Sequence, residues 1–276
     1  MKYKAISIDM DGTLLDDKLK RVSKRDCESI RAMKEAGMKI ILTSGRACGG
    51  ILPDVKRLGL DNTEHVSDAG ASYFDYNGHV TCNVWFDREE SLSAMRFLRE
   101  MQVPFVCATS EYIIHDDLGE PMVALVHHNN GDTKIIKSDA QTVESQLKIV
   151  KIIMQFPNAD KKQRLIDFVA GFNSLRFVDA GELADLLPTR CHKAMGLSRV
   201  IQKAGILPEE VIAVGDQNND IENIQQAGLG CAVANASDDL KAVADVVLNH
   251  DNNHDPITEI YERFVLPEIG FVRKEA

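Results

Sequence analysis

The stretch SIDMDGTLLD, residues 7–16, sets two carboxylates two positions apart where an apolar run ends and a glycine turn begins. The run YKAISI before it has the length and apolar character of a buried strand. A helical pattern follows over residues 23–36, Gly37 stands where a helix C-cap belongs, and KIILTS is a second apolar run. This strand–helix–strand order predicts a parallel sheet, with Asp9 and Asp11 at the carboxyl end of its first strand.

The middle of the chain departs from this order. ASYFDY and HVTCNVWF flank Asn77-Gly78, a strong hairpin signal, and the pattern that follows indicates helices segregated from several strands, MVALVHH among them. From Pro188 onward, strands such as VIAVGD and GCAVA alternate with helices again. We therefore predict an α/β fold in which a discontinuous parallel-sheet core, residues 1–86 and 188–276, encloses an inserted α+β domain, residues 87–187.

Composition and charge limit the classes of partner. The 276 residues are 44% apolar and 27% charged, which is typical of a soluble globular protein. A formal net charge of −10 argues against binding to nucleic-acid phosphates or to anionic membranes. No apolar stretch reaches the length of a bilayer span, and the N-terminal run is too short for a secretory signal, so we predict a cytoplasmic protein. Six cysteines without a C-x-x-C pair indicate neither a zinc site nor a disulfide framework, and the oligomeric state stays open.

Polar residues cluster at four points where a predicted strand ends or a predicted helix begins. They are Asp9 and Asp11; Thr43, Ser44, Gly45 and Arg46; Lys193; and Gly215, Asp216, Asn218, Asn219 and Asp220. Ligands of open parallel sheets bind beyond the carboxyl ends of the strands, so we expect these residues to meet there. Each one alone has an ordinary explanation as a turn, a helix cap or a solvated position, and the combination carries the prediction.

The residue types at these points suit a metal ion beside a phosphate group. Asp9, Asp11 and Asp216 bring hard oxygen donors together from distant parts of the sequence, as Mg²⁺ requires. Ser44 and Lys193 supply a hydroxyl and an ammonium group, next to backbone N–H groups near a helix start, which suits a phosphate dianion. The sequence therefore predicts a site that holds Mg²⁺ and phosphate side by side.

Taken together, these motifs resemble the haloacid dehalogenase superfamily of aspartate-nucleophile phosphatases, and in particular its Cof-like subgroup with a type IIB cap. D-x-D-G-T-L stands at Asp9–Leu14, S-G-R at Ser44–Arg46, the third-motif lysine at Lys193, and G-D-x-x-N-D at Gly215–Asp220. The stretch GLGCAVANASDDLKAVADVV near the C-terminus also resembles the subgroup. The resemblance covers nearly the whole chain and implies that the core is Rossmann-like and doubly wound, with the inserted domain as its cap.

The resemblance also implies a role for each matching residue. Asp9 would attack phosphorus and form an aspartyl-phosphate, while Asp11 would protonate the leaving oxygen and then deprotonate the attacking water. Mg²⁺ would be bound by the Asp9 carboxylate, the Asp11 backbone carbonyl and Asp216. The phosphoryl oxygens would be held by Ser44, Lys193, Asn219 and the backbone N–H groups around Met10 and Gly45. Asp220 would orient Lys193 and metal-bound water.

Three positions depart from the family pattern. Ser44, behind Thr43, occupies the place of the usual second-motif threonine, so either hydroxyl could serve. Ala69 stands where the subgroup commonly has an asparagine, and Pro256 replaces a common glycine, which removes an N–H and restricts φ. These changes leave the predicted nucleophile, acid/base and metal ligands in place.

The sequence thus predicts a cytoplasmic, Mg²⁺-dependent phosphatase of small phosphorylated metabolites such as sugar phosphates, whose cap closes over the leaving group. Two alternatives stay open: a sugar-phosphate phosphomutase, and a catalytically idle metabolite-binding protein of the same fold. The cap sequence also carries Lys151, Arg176 and the neighbours His127 and His128, for which a packing or surface position is the simpler interpretation.

Overall fold

The computed structural model describes residues 1–146, 148–180 and 182–269. The chain divides into two compact units, the first formed by Met1–Gly45, Leu52–His79 and the chain from His192 onward, the second by Arg46–Ile51 and Val80–Cys191. The boundaries between the two units lie a few residues from the predicted limits. The short segment Arg46–Ile51, which begins with the last residue of the second motif, belongs to the second unit. The assignment of residues 1–86 and 188–276 as core and 87–187 as cap stays a prediction.

Strands and helices alternate through most of the chain. The strands are β1 (Ala5–Asp9), β2 (Lys39–Thr43), β3 (His65–Ser67), β4 (Ser72–Phe74), β5 (Val80–Cys82), β6 (Phe105–Ala108), β7 (Tyr112–His115), β8 (Lys134–Lys137), β9 (Lys151–Met154), β10 (Leu175–Ala180), β11 (Leu183–Pro188), β12 (Val211–Gly215), β13 (Leu229–Ala232) and β14 (Val246–Val247). The helices are α1 (Lys24–Glu35), α2 (Leu52–Leu58), α3 (Arg88–Glu100), α4 (Val123–Asn130), α5 (Ala140–Glu144), α6 (Ala159–Val169), α7 (Lys193–Lys203), α8 (Ile221–Gln226), α9 (Asp238–Val243) and α10 (Pro256–Ile260), which continues as a π-helical turn.

The first unit has a parallel sheet with the strand order β14-β13-β12-β1-β2-β3-β4, in which β4 runs antiparallel. Ile41 packs with side chains of α7 on one face, while its neighbours Ile40 and Leu42 are fully buried as well, so helices cover both faces. Asp9 is in register with Thr43 of β2, and Ile8 with Val214 of β12. The predicted α/β fold with a parallel sheet is confirmed, and the carboxyl ends of β1, β2 and β12 lie at one edge.

Local signals mark the ends of α1. Ser23 caps the helix, because its side chain accepts from the Asp26 N–H at 3.0 Å, and Gly37 follows it with a φ of 93°. The Asp26 carboxylate instead accepts from the backbone N–H of Thr258 at 2.7 Å. Pro256, one of the departures from the family pattern, is the first residue of α10, where a missing N–H breaks no helical hydrogen bond.

The second unit has a mixed sheet with the order β10-β11-β9-β6-β7-β8, antiparallel except for the β7–β8 pair. Helices α3 and α6 bury Met95, Leu98 and Leu165 against this sheet. The prediction of a strand at MVALVHH is wrong: the segment forms α4, which follows a 3₁₀ turn containing Pro121. His127 and His128 are therefore helical. Strands β8 and β11 were not predicted. No helix in the described part of the chain has the length and apolar character needed to cross a membrane.

Candidate active site

Asp9 and Lys193 meet at the carboxyl end of β1. Asp9 is the last residue of that strand and Lys193 the first residue of α7, and the side chains are only 6% and 2% exposed. The Lys193 ammonium donates to Asp9 Oδ1 at 2.5 Å and to Asp220 Oδ1 at 2.8 Å, and it lies 3.5 Å from Asn219 Oδ1. The fold thus brings four predicted site positions together from three separate motifs.

Three buried carboxylates form a cluster around this lysine. One oxygen each of Asp9, Asp216 and Asp220 lies within 4.8 Å of the others. Burial raises the pKa of Asp9 well above its usual value, and the charges of Asp220 and Asp216 add to this, while Lys193 opposes it. Burial by itself would lower the pKa of Lys193, but Asp220 and Asp9 raise it above its usual value overall. The lysine is therefore a fixed positive charge in the cluster.

The donor set fits a divalent cation. When all three carboxylates are ionised, Lys193 compensates one charge, and a net charge of −2 stays buried, which is costly without a counter-charge. Carboxylate oxygens are also the hard ligands that Mg²⁺ prefers. The Thr13 hydroxyl donates to Asp216 Oδ1 at 3.0 Å and so orients that carboxylate. Among the described residues, the cluster contains Asp220, which was predicted to orient Lys193 and metal-bound water, in place of the Asp11 carboxylate that the sequence pattern grouped with Asp9 and Asp216. The Asp11 backbone carbonyl, which the resemblance implies as a ligand, stays a prediction.

Asp11 lies on the turn that leaves β1, and its side chain is exposed. The carbonyl of Met10 accepts from the N–H groups of Leu14 and Leu15 at 3.0 and 2.9 Å, which closes the turn. Gly12 has a φ of 78°, and a Cβ on it would overlap the carboxylate of Asp216, so only glycine fits. The buried Asp9 and the exposed Asp11 therefore project from two successive parts of one tight loop.

The second motif follows β2. The Thr43 hydroxyl lies 2.8 Å from the Ser7 hydroxyl, and both side chains are buried between the two strands. Ser44 is held through its backbone, since its N–H donates to Val66 and its carbonyl accepts from the Ala69 N–H, both at 3.0 Å. Thr43 therefore uses its hydroxyl inside the sheet, and the role of Ser44 as the second-motif hydroxyl stays a prediction. Gly45 follows with no heavy atom within 4 Å of the place a Cβ would take.

Ala69 occupies a left-handed backbone position. Asp68 and Ala69 have φ values of 52° and 55°, and Gly70 follows with 101°. Asparagine tolerates such a conformation better than alanine, which is consistent with the asparagine that is common at this place in the subgroup. A Cβ on Gly70 would overlap the carbonyl of His192, directly before Lys193. This turn therefore packs against the backbone of both Ser44 and the start of α7.

The fourth motif is a turn that closes on its own last residue. Asp220 Oδ2 accepts from the backbone N–H groups of Asp216 and Gln217, both at 3.3 Å. A Cβ on Gly215 would overlap the Asp220 side chain, which explains the glycine at the end of β12. Asn219 is exposed beside the buried Asp220.

Two residues with contacts at this edge were not predicted as site residues. Thr13 belongs to the first motif, so the motif itself carried the signal for its bond to Asp216. Asn235 donates from its side-chain amide to the Gly12 carbonyl at 2.8 Å. Its only sequence signal is its place in the C-terminal stretch that resembles the subgroup.

The chain is similar to known proteins in sequence and in fold. The family model of haloacid dehalogenase-like hydrolases matches residues 6–260. Phosphatase YwpJ of Bacillus subtilis is 25% identical, over 91% of this chain and 96% of its own length. An Arabidopsis thaliana protein named chloroplastic endoribonuclease YBEY is 23% identical over 95% of this chain, which spans only 47% of that protein. A solved structure described as a subclass IIB sugar phosphatase has the same fold, with a TM-score of 0.80, 22% identity and coverage of 95% and 98%.

Proposed function

The chain belongs to the haloacid dehalogenase-like hydrolases, and from this premise we propose that it is a Mg²⁺-dependent phosphatase that hydrolyses phosphate monoesters of small metabolites through an aspartyl-phosphate. The observation that carries the proposal is the pair of carboxylates on one turn. Asp9 is buried and ion-paired with Lys193, whereas Asp11, two residues on, is exposed. One suits a fixed nucleophile and the other suits proton transfer with substrate and water.

The reaction divides into two displacements at phosphorus. In the first, an Asp9 carboxylate oxygen forms a bond to phosphorus, the bond to the ester oxygen breaks, and Asp11 gives its proton to that leaving oxygen. In the second, Asp11 takes a proton from water, the water oxygen bonds to phosphorus, and the bond to Asp9 breaks to release inorganic phosphate. Two moderate barriers replace one high barrier.

The other polar residues of the site would bind the phosphoryl group or keep Lys193 in place. Lys193, Ser44 and Asn219 would bind the phosphoryl oxygens, together with backbone N–H groups near Met10 and Gly45. Asp220 would keep Lys193 in place, as their contact of 2.8 Å supports.

Asp9, Asp216 and the Asp11 carbonyl would hold Mg²⁺, and the proximity of Asp220 to the cluster supports a ligand or a second-shell role for it. When bound, the ion would neutralise negative charge on the transferred group. The cytoplasmic location is part of the same proposal.

The substrate class is proposed from the site and from the names of similar proteins. The Lys193 ammonium and a bound Mg²⁺ would offset the negative charge of a phosphate group, which supports a phosphate monoester as substrate. The name of phosphatase YwpJ supports a phosphatase without indicating a substrate, and the subclass IIB sugar phosphatase supports sugar phosphates as the first compounds to test.

The test is phosphate release from a panel of sugar phosphates, other phosphorylated metabolites and an aryl phosphate, with and without Mg²⁺. We expect Mg²⁺-dependent release that Asp9→Asn abolishes. Asp26→Asn is the matched control, because Asp26 is equally buried in the same unit but lies outside the carboxylate cluster, and we expect it to retain activity. An isomerised sugar phosphate with little free phosphate would indicate the phosphomutase, and no turnover of any compound by the folded protein would indicate the idle binder.

A further inference from the structure

The turn that carries Asp11 is held from outside by two asparagines. Asn235 donates from Nδ2 to the Gly12 carbonyl at 2.8 Å, and Asn252 donates from Nδ2 to the Leu15 carbonyl at 3.0 Å. The asparagines are linked, because the Asn252 backbone N–H donates to Asn235 Oδ1 at 3.1 Å. The Gly12 and Leu15 carbonyls are therefore each bound by a side chain more than 200 residues away in sequence.

The segment that carries Asn235 is itself anchored to the carboxylate cluster. The Ser237 N–H donates to the Asp216 carbonyl at 2.8 Å, and the Ala234 N–H donates to the His250 carbonyl at 3.0 Å. Asn235 lies between these two backbone bonds. Asn235 therefore fixes the position of the Gly12 peptide relative to the end of β12, where Asp216 lies.

The two carboxylates of the first motif differ in how they are held. Asp9 is buried and ion-paired with Lys193, so packing and charge fix its side chain. Asp11 is exposed and lies on the turn that the two asparagines contact. Gly12, the next residue, has a left-handed φ of 78°, and glycine has many alternative conformations once its carbonyl is released.

We infer that Asn235 is a positioning residue that holds the Asp11 turn in place for proton transfer to the leaving group, an inference that rests on the proposed function. Loss of its amide would loosen the turn while Asp9, Lys193 and Asp216 keep their own contacts. Proton transfer would weaken more than attack on phosphorus. Because Asn235 is exposed, its replacement leaves the packing of the core intact.

The test compares phenyl phosphate with p-nitrophenyl phosphate, which are nearly the same shape but release a strongly and a weakly basic phenolate. The ratio of their kcat/KM values reports how much the leaving oxygen depends on protonation. We expect Asn235→Ala to lower kcat/KM for phenyl phosphate about fivefold more than for p-nitrophenyl phosphate, a part of what a general acid contributes. Asn235→Asp, which keeps the shape but removes the donor, should show the same or a larger change.

Asn253→Ala is the matched control. Asn253 belongs to the same loop network but contacts Asp17 and Asn252, and not the carbonyls of the turn. Its ratio should equal that of the wild type. An equal loss for both substrates in Asn235→Ala would overturn the inference and leave the proposed function intact. A wild type inactive on every phosphate ester would overturn both.

Discussion

One lysine in each of the two units is buried among the residues that the structure describes, and the two are held differently. Lys193 in the first unit lies between two carboxylates at 2.5 and 2.8 Å, beyond the strand ends. Lys151 in the second unit lies within β9, 3.6 Å from Asp185 of the neighbouring strand. Burial raises the pKa of Asp185, and Lys151 opposes that rise. Burial of a charge alone therefore does not mark a candidate active site. Lys193 differs in that its two carboxylate partners, Asp9 and Asp220, come from two separate motifs beyond the strand ends.

The largest expected effect comes from removing each lysine in turn. Lys193→Met should lower kcat/KM for an aryl phosphate by about 10²–10³-fold, because it removes a preorganised positive charge beside the reacting groups. Lys151→Met should change the same quantity less than tenfold, since an aryl phosphate needs little from the second unit. Steady-state kinetics with Mg²⁺ measures both. Similar losses in the two variants would mean that the comparison does not separate catalysis from packing.

In the second unit, replacing the lysine should lower the free energy of unfolding more than it affects kcat/KM. Lys151→Met leaves the half-buried Asp185 beside a methionine and should cost about 2 kcal/mol, whereas adding Asp185→Leu should recover most of this loss. Urea unfolding followed by the fluorescence of Trp85 measures it, because this single tryptophan belongs to the second unit. If the double variant is no more stable than Lys151→Met, the loss in Lys151→Met does not come from an unpaired Asp185 carboxylate.

The sequence could predict features that follow from local patterns, but not contacts between distant parts of the chain. The carboxylate cluster was predictable, because parallel strands bring their carboxyl ends to one edge and each motif follows a strand or opens a helix. The strand predicted at MVALVHH was wrong, because a short apolar run fits either structure and the 3₁₀ turn before it starts a helix. The contact of Asn235 with Gly12 spans 223 residues and leaves no local pattern.

Asp26 shows, within a single residue, that sequence predicts local contacts and not distant ones. The spacing of Ser23 and Asp26 is typical of a helix-capping arrangement, and Ser23 does accept from the Asp26 N–H. The carboxylate itself accepts from the backbone N–H and the hydroxyl of Thr258, at 2.7 and 2.9 Å, across 232 residues. A local rule predicts a backbone contact, but the partner of a buried side chain is decided by the tertiary fold.

The smallest expected effect concerns Asp26, a buried carboxylate that accepts hydrogen bonds from the uncharged donors of Thr258. Burial raises the pKa of Asp26 to about 6, hydrogen bonds from Thr258 oppose this, and the charge of Asp255 adds to it. The folded state then binds a proton between about pH 4 and 6 that the unfolded state has released, so its contribution to stability falls as the pH rises through this range. Between pH 4.5 and 7 the wild type should lose about 2 kcal/mol more than Asp26→Asn. Urea unfolding of both proteins at several pH values measures the difference. Parallel curves would mean that Asp26 stays ionised over this pH range in the folded protein, and that the hydrogen bonds from Thr258 offset the effect of burial on its pKa.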